Sequence, residues 1–204
     1  MSRLILCIVL ILGTLGTPAM ATEEPAFTLV LRDGPFEVRD YGPTVVAEVT
    51  VAGSQNRASS QGFQILAGYI FGGNTRRQSI AMTAPVAQNR TSETIAMTAP
   101  VTQTASGDRW AVRFIMPSEY TMATLPVPND RRVTLREEPA HRMAVVRFSG
   151  IADARQVERR EQELDQQLAA RGMRRTGPIT LAQYDPPWTL WFLRRNEVMA
   201  PVAG

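Results

Sequence analysis

Lysine is absent: all 22 basic residues are arginine. Cysteine occurs once, as Cys7, and histidine once, as His141. These shortages exclude a good deal. One cysteine cannot form an internal disulfide, so a buried core must hold the fold. Zinc sites draw mostly on Cys and His, so a structural zinc site is excluded. A Ser-His-Asp triad would have to use His141, which sits among Pro139, Ala140 and Arg142 and reads as an exposed turn histidine. Adjacent carboxylates such as Glu137 and Glu138 point to opposite faces of a strand and make a poor acid/base pair. No catalytic constellation emerges. The formal charge is +3, but Arg159-Arg160 is interleaved with Glu158, Glu161 and Glu163. That pattern reads as a solvated helix face, not a stripe tracking phosphates, so nucleic acid is not an expected partner.

Residues Met1 to Ala21 read as a secretory signal, with Arg3 as the positive start, Leu4 to Leu12 as the apolar run and Ala19-Met20-Ala21 as a small-x-small cleavage site. The apolar run is far shorter than the ~20 residues a spanning helix needs. The expectation is cleavage after Ala21, a periplasmic or secreted product without stable membrane insertion, and one domain over residues 22–204. Cys7 would leave with the signal.

Two repeats organise the rest. Ile-Ala-Met-Thr-Ala-Pro-Val occurs at Ile80 to Val86 and again at Ile95 to Val101, and the two copies are expected to pair as a hairpin around Asn89 to Glu93. An ungapped offset of 97 residues also lays Phe36 to Gly53 over Val133 to Gly150, matching Arg39 to Arg136, Ala47 to Ala144 and Val49 to Val146. Two similar units packed as one pseudo-symmetric body are implied.

Alternation predicts strands over Val45 to Val51, Met143 to Phe148 and Trp110 to Met116. Phe63, Leu66, Ala67 and Ile70 share one helical stripe that Gly72-Gly73 stops. Asp153 with Gln156 resembles a capping box for a second helix with Val157, Leu164 and Leu168 inside, an Arg159 to Glu163 pair outside, and Gly172 at its end. Strands outnumber helices, which argues α+β with helices lying on an antiparallel sheet. Met82 and Met97 could be soft haem ligands, but the core reading is the stronger, with methionine filling irregular gaps.

The doubled Met-Thr-Ala-Pro segment, Gly72-Gly73-Asn74, Phe114 to Ser118, and Tyr184-Asp185-Pro186-Pro187-Trp188 followed by Arg195-Asn196-Glu197 together resemble the SOUL family of haem-binding proteins. The resemblance implies a distorted antiparallel β-barrel flanked by two helices, one from each half. It also implies a non-catalytic protein that buffers or carries haem or another porphyrin in a cleft between the first helix and the loop after Asp-Pro-Pro. Phe63, Leu66 and Ile70 would form the apolar wall, Trp188 and Trp191 the aromatic surface, and Arg76, Arg77, Arg194 and Arg195 would meet propionates. Some members ligate iron through a histidine in the N-terminal half, where this chain has none, so the apolar mode is the one available unless His141 serves. A second reading is a small-molecule effector-binding module of the gyrase-inhibitor-like type, with Glu197 as the acidic residue of its groove. A third is an envelope protein-interaction module.

Overall fold

In the computed structural model, residues 22–77, 92–186 and 188–203 are described. The three strands that alternation predicts are present, two of them longer than their patterns and the third shifted back by one residue; the described residues hold eleven strands in all. They are β1 (Phe27–Asp33), β2 (Phe36–Tyr41), β3 (Thr44–Ala52), β4 (Asn74–Thr75), β5 (Val101–Ser106), β6 (Arg109–Ile115), β7 (Val127–Pro128), β8 (Thr134–Glu138), β9 (His141–Ser149), β10 (Thr180–Gln183) and β11 (Arg195–Pro201). Nine of them form one curled antiparallel half-barrel in the order β1-β2-β9-β11-β10-β5-β6-β3-β8, while β4 and β7 pair separately. The 97-residue offset carries β3 onto β9 end to end, and the glycine after each strand, Gly53 and Gly150, has φ of +112° and +106°. A side chain would be strained in that backbone conformation, which is why both copies end in glycine.

The order also shows how the halves are joined. β2, from the first half, pairs with β9 of the second; β8, from the second, pairs with β3 of the first. Each half therefore supplies a flanking strand to the other.

Helices α1 (Gln55–Ile70) and α2 (Ala154–Ala170) lie on one face of the sheet. Leu66, Tyr69 and Ile70 of α1 pack with Ala47, Val49, Val112 and Phe114, and Val157, Leu164 and Leu168 of α2 with Phe36, Val146, Phe148 and Val198. Each fully buried large aliphatic side chain contributes about 1.5–3 kcal/mol relative to exposure. Gly62 would otherwise weaken α1, but a Cβ there would stand 2.6 Å from Val112 Cγ2. The glycine lets the helix lie directly on β6. At the end of α1, Asn74 stitches the turn: its amide donates to the carbonyls of Tyr69 (2.7 Å) and Glu93 (2.8 Å) and accepts from Glu93 N–H (3.0 Å). That gives the Gly-Gly-Asn motif a structural role.

Asp153 caps α2 by accepting from Gln156 N–H, but the Gln156 amide reaches Ser149 O, so the box is half made. Gly172, with φ of +67°, follows the C-cap. The expected Arg159 to Glu163 pair is replaced by Arg160 with Glu163 at 2.6 Å, and Arg159 donates to Gln156. The first copy of the seven-residue repeat, including Met82, lies outside the described residues, and with it most of the expected hairpin. The second copy is not a strand before Val101. Ile95 N–H donates to Ile70 O and Ala99 N–H to Glu23 O, so Ile95 to Pro100 is held by the helix end and the N-terminal segment. Ile95 is buried and Met97 packs against the same core. Among the described residues no helix is long and apolar enough to cross a membrane.

Candidate functional site

Register fixes what the helices leave between them. Ala47, Phe114, Val101, Gln183, Asn196 and Phe148 form one row across five strand pairings. Residues paired in this way share a sheet face. α1 covers one end of the row and α2 the other. Phe63 of α1 stacks edge-on against Phe114, ring centroids 5.4 Å apart. Two strand spacings away, roughly 10 Å, Gln183 ends β10 and the chain turns into the 184–194 connection. That connection is densely apolar and open to solvent: Trp188 is 82% exposed and Trp191 59%, with Leu190, Phe192 and Leu193 also exposed. A short 3-10 turn, Trp191–Leu193, carries part of it. The connection after Asp-Pro-Pro thus presents open aromatic surface.

The other expected members divide. Phe63 is partly exposed, but Leu66 and Ile70 are sealed in the core against the sheet. The correction follows from the stripe itself, because the apolar stripe of a surface helix turns to the sheet, and only its edge is free to form a wall. Arg76 is exposed and paired with Glu93 at 2.8 Å, while Arg77 donates to Leu125 O. Arg194 donates to Thr189 O, bracing the aromatic loop. Arg195 belongs elsewhere. Strand alternation places it with Glu197 on the opposite sheet face, where it stacks over Tyr184 at 3.7 Å and bonds Glu24 and Glu197.

That inner face holds an ion network the sequence analysis did not find. Arg39 and Glu197 are 1% and 0% exposed and joined by two hydrogen bonds of 2.9 and 3.0 Å. Arg39 also donates to Glu37 (2.6 Å) and Tyr41 Oη (3.0 Å) and lies 4.5 Å from the centre of the Phe27 ring. Tyr184 Oη donates to Glu197 at 2.6 Å. Burial pushes the Glu37 carboxyl up, but the hydrogen bond from Arg39 and the charges of Arg39, Arg32 and Arg147 outweigh it and hold the group below its ordinary range. Burial, then Glu197, pushes the Tyr184 phenol up. Glu197 is therefore buried within this network, its carboxylate occupied by the protein's own guanidinium.

Farther along the same face, Arg113 joins Glu48 and donates to Thr104 (3.0 Å), and Arg136 bridges Glu48 (3.2 Å) and Glu138 (2.9 Å). Between the two networks lies a cavity of about 370 Å³ lined by Tyr41, Met143, Tyr184, Met199 and His141. His141 is not an isolated turn residue. Its ring stacks on Tyr41, centroids 5.6 Å apart and planes at 20°, and its Nδ1 lies 2.8 Å from Pro139 O. No group of three or more His, Cys, Asp or Glu that could hold a metal ion occurs among the described residues.

The model of the family described as SOUL heme-binding protein matches residues 22–201. The chain belongs to the SOUL family. No curated protein sequence matches. Among solved structures, the EcmrR C-terminal domain superposes with a TM-score of 0.60 at 11% identity, covering 82% of this chain and 96% of that one. A hydrolase from Listeria innocua gives 0.52 at 14% identity, covering 82% and 91%. At such identities these two likenesses show a shared fold only. For this SOUL chain Trp188, Trp191 and Phe63 offer exposed aromatic surface and Arg76 an exposed cation, side-chain chemistry of the kind a tetrapyrrole needs.

Proposed function

We propose that the protein is a non-catalytic haem or tetrapyrrole carrier working in an exported compartment, with the outer cleft as its pigment site. The observation that carries this reading is the run of exposed large apolar side chains in one short connection, Trp188, Leu190, Trp191, Phe192 and Leu193. A soluble protein rarely leaves so many large apolar groups open together unless something covers them. Trp188 and Trp191 stack on the macrocycle, Phe63 closes the α1 side, and Arg194 holds the loop through Thr189 O. Leu66 and Ile70 support the wall from beneath, and Arg76 and Arg77 lie at the end of α1 toward the propionates. The bound pigment supplies only its own colour and redox chemistry. A hydrolytic role finds little support, since His141 hydrogen-bonds a carbonyl and not a nucleophile.

Titrating the purified protein with hemin tests this. A Soret shift is expected, and Trp188→Ala with Trp191→Ala should weaken binding roughly ten-fold or more, each lost stacking contact being worth on the order of 1 kcal/mol. An unchanged spectrum from folded protein refutes the reading. Binding of cationic aromatic compounds abolished by Glu197→Gln would favour the effector module instead, but the Arg39 pairing argues against it.

A further inference from the structure

We infer that the inner-face cavity is a second pigment site and that His141 Nε2 is its iron ligand; this rests on the tetrapyrrole reading above. The cavity lies on the sheet face opposite α1 and Phe63. It adjoins a larger space of about 820 Å³, with Pro25, Thr44, Ile115, Glu137, Glu138 and Pro139 lining both. Each falls within the ~300–1,000 Å³ typical of small-molecule sites. Tyr41, Met143 and Met199 supply apolar surface, and Arg136 stands half exposed at the rim.

The histidine is arranged as a ligand is. Pro139 O is only an acceptor, so Nδ1 must donate to it, and the proton is thereby fixed on Nδ1. The Nε2 lone pair then points away from that bond. Among the described residues Nε2 has no hydrogen-bond partner. An imidazole whose Nδ1–H is tied to a carbonyl, with its ring plane held by stacking, is the arrangement that orients metal-bound histidines and raises their basicity. Axial ligation by such a nitrogen is a standard way to hold haem iron. The two faces should therefore differ in chemistry. The outer cleft binds by apolar and aromatic contact and is indifferent to iron; the inner cavity selects the metallated pigment.

Hemin and metal-free protoporphyrin IX, each titrated into the purified full chain, separate the two. Wild-type protein should bind hemin roughly ten-fold or more tightly than protoporphyrin and give the visible and EPR signature of imidazole-ligated iron. His141→Ala should erase that preference and signature and leave protoporphyrin binding unchanged. Free imidazole should restore the signature in His141→Gly. Trp188→Ala should weaken both pigments at the outer cleft and retain the imidazole signature. Should protoporphyrin bind while the hemin spectrum is the same in wild type and His141→Ala, the inner site is wrong and the carrier reading stands. If neither pigment binds to folded protein, both fall.

Discussion

Arg39→Met isolates the energetics of the inner-face network. Methionine keeps an unbranched apolar stem out to the position of Nε but lacks the guanidinium that lies over Phe27, and it removes the charge between two carboxylates that are 1% and 0% exposed. Glu37 retains Arg32 at 3.0 Å and Arg147 at 3.5 Å, whereas Glu197 loses its bidentate partner and keeps Arg195 at 3.1 Å and Arg147 at 3.6 Å. Stripping one partner from a buried pair costs about 3–5 kcal/mol, and the surviving arginines set the expectation at the lower end, about 3 kcal/mol. For a domain of this size that is a fall of roughly 6–12 °C in melting temperature. Arg39→Met/Glu197→Gln should recover part of the loss, because no uncompensated charge is left inside. The pH dependence has a definite sign. Glu37 titrates below its ordinary value when folded, so its contribution is full above about pH 4.5 and vanishes as pH falls through the folded value. The gap between wild type and variant should therefore narrow on acidification. Urea denaturation of both proteins from pH 7 down to about pH 2.5, through the range in which the buried carboxylate takes up its proton, measures it. A loss under 1 kcal/mol, or a gap independent of pH, would refute the claim that Arg39 neutralises these carboxylates.

At Gly62, alanine gains about 1 kcal/mol of helix propensity but meets Val112 Cγ2 at 2.6 Å, and overpacking of that severity costs about 1–3 kcal/mol; calorimetry should show Gly62→Ala destabilised, while Gly68→Ala, with open space around it, should be neutral or up to about 1 kcal/mol more stable. The Tyr184 phenol is held above its ordinary value of 10.0 by burial and by Glu197, so its contribution is complete below that pH and disappears as alkalinity rises through the folded value. Tyr184→Phe should accordingly flatten the alkaline limb of a stability curve followed by circular dichroism, and an unaltered limb would count against the bond to Glu197.

Much of the architecture was legible because it is local. Period-two runs located β3, β6 and β9, an offset of 97 residues found the duplication, and Asp153 and Gly172 marked both ends of α2. The inner network was not, since Arg39 and Glu197 are 158 residues apart. Its signal was present as Glu37-x-Arg39-x-Tyr41 and Arg195-x-Glu197, charges alternating on strands whose other face is apolar. Such alternation normally means a solvated face, and here the charges are covered by contacts remote in sequence, Phe27 over Arg39, Tyr184 on Glu197 and Glu24 on Arg195. The same parity placed Arg195 with Glu197 and away from the outer cleft. Leu66 and Ile70 were assigned to a ligand wall because their stripe is apolar, but periodicity shows that a face is buried, not by what. The second repeat alternates like a strand yet finds its backbone partners in α1 and the N-terminal segment.

The crossed lending of β2 and β8 has a consequence for how the chain is made. A ribosome releasing residues from the N-terminus delivers β2 about a hundred positions before its neighbour β9 exists, so neither lobe can finish its sheet until most of the polypeptide has emerged. A free-standing half would be left wanting a strand on one margin and holding a spare on the other. Two copies of such a half-length ancestor could complete each other only by reciprocal exchange, which makes a symmetric homodimer the natural precursor of the present fused molecule.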